Sequence, residues 1–404
     1  MTAAARQADG DAAPPRLLVV ASHPIQYQAP WFRALAQVPG LDFRVLFVQR
    51  PDARQQGADF GVAFEWDVPL LDGYRFEFVP ALRGRGGLRG FFATRIVKPL
   101  ALLRQLDPDA IVLTGWHVWP LVQLLVAAWW ARIPVIMRGE SNALRPRPWY
   151  TRLVHRALLG RCRAFLPIGR ASHAFYRGYG IPESRLFDAP YFVDNARFLA
   201  TSLDCLPRRE ALRAGWSIAP AAVCFCFAGK LQPKKRILDL LHALHLATTS
   251  SAAPLHLLVV GTGELMDEAR ALVGELGLPV TFAGFLNQSE IPAAYVAADC
   301  LVLPSDHGET WGLVVNEAMA CGLPAIVSDR VGCASDLVIE GATGTVFPFG
   351  DIGALARKLV QFAGDPQRLQ VMGERARDHV LQGYTVEESV RGTLLALRHV
   401  LADA

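Results

Sequence analysis

Strand-length runs of apolar residues alternate along the whole chain with segments whose apolar positions recur at helical spacing. That alternation predicts parallel sheets whose strands are joined by crossover helices. In the first half the pattern predicts strands over 17–21, 43–48, 110–113, 135–137 and 164–167, with helices around 29–38, 88–105, 118–131, 150–159 and 170–179. After a looser stretch near 195–220 the pattern starts again. It predicts strands over 223–228, 255–260, 280–282, 300–303 and 325–327, and helices near 235–247, 264–276, 288–297, 312–321, 351–363 and 366–381. A last helical segment covers 385–402.

Two doubly wound, Rossmann-like α/β lobes follow from this order, one over 16–200 and one over 201–384, with 385–404 as an additional C-terminal helix. Such folds bind ligands at the carboxyl ends of their strands, so two lobes facing one another imply a central cleft. Residues 1–15 read as a disordered tail and lack the apolar core of a signal peptide, which predicts a cytoplasmic protein.

Composition narrows the class. With 404 residues, 52% of them hydrophobic and 19% charged, the chain is globular and is neither disordered nor collagenous. Its seven cysteines (Cys162, Cys205, Cys224, Cys226, Cys300, Cys321 and Cys333) are scattered through apolar runs, which predicts packed, reduced thiols. The apolar stretch 118–131 is shorter than the ~20 residues that span a bilayer and predicts a buried helix.

Charge divides the chain unevenly. Residues 1–200 hold 25 Lys and Arg against 15 Asp and Glu, a balance of +10, whereas 201–404 hold 16 against 22, a balance of −6. A basic first half suits an anionic membrane surface or a phosphorylated substrate, and an ordinary Arg-rich surface would give the same count. Nucleic acid is disfavoured, because no aromatic platform accompanies the dispersed basic residues.

The chemistry concentrates in three segments of the second half. In 304–329, PSDHGETWGLVVNEAMACGLPAIVSD, a strand ends at Pro304-Ser305, a polar loop carries Glu309, and Gly312 opens a helix with free backbone N–H groups. Glu317 lies along that helix, where it could accept two ribose hydroxyls while a diphosphate met the helix start. This outlines a nucleotide-sugar site. In 227–236, FAGKLQPKKR, Gly229 permits close backbone approach and Lys230 and Lys235 offer positive charge at a strand-to-helix junction. In 259–264, VVGTGE, Gly261 and Gly263 bend the backbone after another strand, without completing the dinucleotide fingerprint.

Together these segments resemble the donor-binding lobe of glycosyltransferase family four, retaining enzymes of the GT-B fold. The likeness rests on Gly229-Lys230-Leu231 with Lys235, on Gly261-Thr262-Gly263, on Pro304-Ser305, and on Glu309-Thr310-Trp311-Gly312 followed by Glu317-Ala318-Met319-Ala320-Cys321-Gly322-Leu323-Pro324. It spans roughly 223–350. Lys230 stands where the family usually has arginine, and Trp311 where it has phenylalanine.

The resemblance implies that Lys230 and Lys235 hold the donor diphosphate with the backbone of Gly312, Leu313 and Val314. It implies that Glu309 faces the transferred sugar, that Glu317 binds the ribose, and that Phe285 and Leu286 lie against the base. It also implies that the 385–404 helix crosses back onto the first lobe. In that lobe, His117 follows the 110–113 strand where similar proteins place a histidine beside the donor sugar, although a histidine at a strand end is often structural. Arg138 and Glu140, after the next strand, are candidate acceptor or sugar contacts. One departure is clear: similar proteins carry a glycine-rich loop after the first strand, and here Ser22-His23-Pro24-Ile25-Gln26-Tyr27 makes His23, Gln26 and Tyr27 candidate acceptor contacts instead.

Asp107-Pro108-Asp109 has the form of a metal signature from a different fold, but its proline and its place before a strand predict a turn. No metal or other cofactor is expected, since lysines and a helix N-terminus can neutralise the leaving group. The expected reaction transfers a sugar from a nucleoside diphosphate donor to a hydroxyl of a saccharide or lipid-linked acceptor, with catalytic roles for His117, Lys235 and Glu309. Two rivals stay open: a non-hydrolysing sugar-nucleotide epimerase of the same fold, and a non-catalytic two-lobed sugar-binding protein. A basic segment with Arg83, Arg85, Arg89, Arg95 and Lys98 near Phe91, Phe92, Leu100 and Leu102 is a candidate for peripheral contact with the inner membrane face; a plain amphipathic surface helix would read the same way.

Overall fold

The computed structural model describes residues 13–57, 61–84 and 90–402, which fall into two compact units. The first draws on 1–55, 69–190 and 386–404, the second on 56–68 and 191–385. The tail expected over 1–15 lies largely outside the described residues.

The chain opens with β1 (Arg16–Ala21), α1 (Ala29–Ala36) and β2 (Asp42–Phe47). A short α2 (Ala53–Gly57) is followed by β3 (Phe76–Phe78), β4 (Leu82–Gly84), β5 (Thr94–Ile96), α3 (Pro99–Leu106) and β6 (Ala110–Leu113). Then come α4 (Trp119–Ala131), β7 (Val135–Met137), α5 (Trp149–Leu159), β8 (Ala164–Phe165) and α6 (Arg170–Gly178). The parallel sheet of this unit has the order β3-β2-β1-β6-β7-β8, with β4 and β5 forming a separate antiparallel pair.

The second unit contains α7 (Asn195–Cys205), α8 (Arg209–Gly215), β9 (Val223–Ala228), α9 (Ile237–Ser250), β10 (Leu255–Val260), α10 (Met266–Leu276) and β11 (Val280–Gly284). It continues through α11 (Ile291–Ala297), β12 (Cys300–Leu303), α12 (Leu313–Ala320), β13 (Ala325–Ser328), α13 (Ala334–Leu337) and β14 (Gly344–Phe347). After α14 (Ile352–Ala363) and α15 (Pro366–Gly383), the last helix, α16 (Val386–Ala402), packs on α1 and on β6 to β8 in the first unit. The second sheet, also parallel, has the order β11-β10-β9-β12-β13-β14. Both sheets are doubly wound, and each reverses strand order once: between β1 and β6, and between β9 and β12. At such a point the loops splay apart and leave a crevice for ligands.

The inner strands are buried on both faces because helices cover both sides, which is why they read as unbroken apolar runs. Cys224 and Cys226 lie fully buried in β9, and burial pushes the Cys224 thiol up to about 12.

Four differences from the sequence pattern have local causes. A helix over 88–105 is replaced by β5 and then α3, which starts at Pro99, a residue suited to a first helical position. The Gln123 amide holds β5 as a partner strand would, accepting from Ile96 N at 2.8 Å and donating to Ile96 O at 3.1 Å. The looser stretch contains α7 and α8, and Asp194 caps α7 by accepting from Arg197 N at 3.1 Å. The short strands β3 and β14 complete the two sheet edges. Finally, α4 is not buried throughout: Trp129 and Trp130 at its end are 50% and 70% exposed.

Candidate functional site

In the second unit, the crevice-forming loops follow β9 and β12. The first carries Gly229 and Lys230 and runs into a single 3-10 turn, Pro233–Lys235, that buries Lys235. The second carries Glu309. The two loops are joined by backbone, Asp306 N donating to Lys234 O at 2.9 Å, and by charge, Lys235 Nζ pairing with Glu309 Oε2. Their side chains are only 10% and 14% exposed, so the pair is shielded from water. Lys230, earlier on the same loop as Lys235, is partly buried.

Backbone fit explains two of the glycines. A Cβ on Gly261, at φ +120°, would lie 2.0 Å from Gly229 O, so the loops after β9 and β10 can touch only if this residue is glycine. Gly312, at φ +105°, turns the chain into α12 with Leu303 and Val331 closing on the space a side chain would need. Leu313 and Val314 follow at the surface of the first turn, where backbone N–H groups have no intrahelical acceptor. Trp311 is buried, and its indole N–H donates to Asn316 Oδ1 at 2.8 Å, which anchors the loop just before the helix.

Glu317 is fully buried on α12. Tyr295 Oη donates to its Oε2 at 2.7 Å and Gln288 Nε2 to its Oε1 at 3.3 Å. It is therefore not the open carboxylate that the sequence suggests: both oxygens have protein donors, the second by a long bond.

The segment after β11 holds Phe285 and Leu286, both partly buried. Phe64, from the short stretch 56–68 that belongs to this unit, packs against Phe285 with the rings tilted and their centroids 4.3 Å apart. Asn287 Nδ2 donates to Glu65 O at 2.8 Å, and Ser289 N donates to the Asp67 carboxylate at 3.1 Å, so the stretch is tied down at several points. Sequence reading missed Phe64, and no local signal marks it: it lies far along the chain from Phe285.

Residues 208–379 match the family described as glycosyl transferases group 1. These residues form a group 1 glycosyl transferase domain. Among curated proteins, a GDP-mannose-dependent alpha-(1-6)-phosphatidylinositol monomannoside mannosyltransferase of Mycolicibacterium smegmatis is 30% identical over 53% of this chain and 56% of its own length. A D-inositol 3-phosphate glycosyltransferase of Gordonia bronchialis is 31% identical over 45% of this chain and 42% of its own. The chain thus spans about half the length of the curated relatives it matches. Solved structures extend the likeness in fold to both units. A glycosyltransferase of Rickettsia africae superposes with a TM-score of 0.72 at 14% identity over 96% of this chain and 99% of its own. Anabaena HepE in complex with UDP and glucose gives 0.71 at 17% over 95% and 99%. The fold class is GT-B.

Outside the group 1 domain, the first unit has its own crevice. Ser22 and His23 follow β1, His117 follows β6, and together with Gln49, Phe91 and Thr94 they line a cavity of about 90 Å³. His23 Nδ1 lies 2.9 Å from Ser22 Oγ. His117 is accessible, yet its crowded surroundings hold the imidazole below its ordinary pKa against the opposing pull of the Glu140 carboxylate. His23, His117 and Glu140 thus belong to one sheet edge, with Gln26 and Tyr27 partly buried just beyond His23.

Arg138 is different. It is only 7% exposed, donates to Ala189 O at 3.0 Å and lies 5.0 Å from the Trp31 ring, so it ties β7 to neighbouring chain and is not an open contact for an acceptor. Asp107 and Asp109 lie in the short link from α3 to β6, and both carboxylates bind Arg16, Asp109 accepting from its backbone N at 2.8 Å. Among the described residues no cluster of three or more His, Cys, Asp or Glu could hold a metal ion. No helix among them is long and apolar enough to cross a membrane. In the basic segment 83–98, Phe92 is 74% exposed and Leu102 nearby is buried, while Arg85 and Arg89 lie outside the described residues.

Proposed function

We propose that the protein is a retaining glycosyltransferase that moves a sugar from a nucleoside diphosphate sugar to a hydroxyl of a saccharide or lipid-linked acceptor, in cell-surface polysaccharide or glycolipid synthesis. The observation that carries this reading is the shielded Lys235–Glu309 pair beside the α12 N-terminus, at the strand-order reversal of a group 1 domain. Cleavage of the sugar–phosphate bond leaves negative charge on the diphosphate. Lys230, Lys235 and the free N–H groups of Leu313 and Val314 would stabilise it without a metal ion. Low local polarity around the pair strengthens each of these interactions.

Glu309, held by Lys235, would orient the sugar and not attack it. Because Lys235 already engages Glu309, we favour reaction on one face, with the leaving phosphate oxygen accepting the proton of the attacking hydroxyl. His117, kept neutral at pH 7, would hydrogen-bond the donor sugar. On the nucleotide side, Phe285 and Leu286 would meet the base with Phe64 behind them, and a ribose hydroxyl would replace Gln288 at Glu317 Oε1, whose present bond is the weaker of the two.

The test is product analysis by mass spectrometry with UDP-, GDP-, ADP- and dTDP-sugars, each with and without lipid and saccharide acceptor extracts. A glycosylated acceptor with retained anomeric configuration supports the reading. An epimerised donor formed with no acceptor present would overturn it in favour of an epimerase.

A further inference from the structure

Helix α5 presents the wrong face to water. Trp149, Tyr150, Leu153 and Val154 are 73%, 59%, 56% and 57% exposed. Their spacing places them, with Ala157, on one stripe of the helix. The opposite face is packed: Leu159 is buried, and the His155 ring lies 5.3 Å from Trp116, the residue next to His117. Soluble monomers expose single large apolar residues freely but seldom a continuous aromatic and aliphatic stripe.

The charge around this stripe is of one sign. Residues 141–182 contain eight arginines and no aspartate or glutamate. Arg152 and Arg156 border the stripe and are exposed, with no ion pair among the described residues. Beyond the end of α5, Arg161 stacks on the half-exposed Trp129, at 5.2 Å. A protein partner could match an apolar stripe, but arginines flanking Trp and Tyr fit a bilayer interface in particular: the rings settle at headgroup depth and the guanidinium groups meet phosphates.

We infer that the exposed face of α5, with Trp149, Tyr150, Leu153 and Val154 as the inserted side chains and Arg152 and Arg156 as the phosphate contacts, docks the first unit on an anionic phospholipid surface. These residues are not those of the basic segment 83–98. It gives the membrane partner of the proposed function a location, and it rests on that reading only in the choice of a lipid-side acceptor.

The experiment is co-sedimentation of the full-length protein with vesicles of phosphatidylcholine alone and of equimolar phosphatidylcholine and phosphatidylglycerol, at low and high salt. Binding to the anionic vesicles only, lost at high salt, is expected. R152E/R156E should weaken it at least about thirtyfold, since each basic residue near such a surface contributes measurably. W149S/Y150S/L153S should weaken it at least about tenfold, with melting curves confirming that both variants fold. Failure of the wild type to bind anionic vesicles, or equal binding by both variants, would overturn the proposal. So would self-association in vesicle-free solution that W149S/Y150S/L153S abolishes, which would make α5 an interface between copies. Because vesicle binding needs no donor, a negative result here leaves the donor-side reading intact, and failed sugar transfer leaves this proposal intact.

Discussion

Lys235 and Glu309, 74 positions apart in sequence, meet as an ion pair where two loops of the second sheet converge. The pair is shielded from water, so removing either side chain leaves the other without its partner in a shielded place. Its composition also suits the chemistry proposed for it, because a diphosphate can take over Lys235 while a sugar hydroxyl takes over Glu309.

Lys235→Ala should lower kcat by about two to three orders of magnitude, the usual loss when one stabiliser of developing negative charge is removed. It should also cost stability, because Glu309 would be left in a shielded place without its cation, and breaking a buried pair costs about 3 to 5 kcal/mol. Lys235→Arg separates the two effects: it should restore the melting temperature but not the rate, since a planar guanidinium cannot occupy the space of an ammonium. Steady-state kinetics and thermal melts of both variants check this.

Glu317→Gln should weaken nucleoside diphosphate binding by about tenfold, the loss expected for a charged hydrogen-bond acceptor, with a smaller change in kcat. Glu317→Ala should also lower the melting temperature, because Tyr295 Oη and Gln288 Nε2 would lose their acceptor in a buried position. Calorimetric titration with the cognate diphosphate measures the first effect and thermal melts the second.

Phe64→Ala should weaken diphosphate binding by about three- to tenfold, in line with the energy of one aromatic pair, and leave the free sugar's affinity unchanged. Unaltered affinity would remove Phe64 from the nucleotide side of the site.

Acid should destabilise the first unit. Burial, with Arg147 adding to it, holds His155 down to about 4, against about 6.5 in an unfolded chain. The unfolded chain therefore takes up the proton first. The stabilising contribution is complete above about pH 6.5 and is lost as pH falls from there towards 4. Melting temperatures recorded across that range should fall, and His155→Phe should flatten the slope.

Much of this architecture is legible in the sequence. Ten of the twelve strands in the two large sheets are apolar runs, and the loops with chemistry stand out because Gly229, Gly261 and Gly312 interrupt those runs beside charged residues. Strands β3 and β14 are not legible, because each is short and adds only an edge. Long-range contacts are hidden for a different reason. Phe64 reaches Phe285, and Gln123 holds Ile96, through tertiary placement that leaves no periodic trace. Arg138 illustrates the converse: a charged residue at a strand end reads as a ligand contact, and only burial shows that Ala189 O already occupies it.

The most direct test of the proposed donor site is a calorimetric titration of the purified protein with UDP, GDP, ADP and dTDP, each with magnesium and with a chelator. One of the four should bind tightly, equally well without metal, and Lys235→Ala should weaken that binding. Binding of none of them by the wild-type protein, or binding that vanishes with chelator, would contradict this reading.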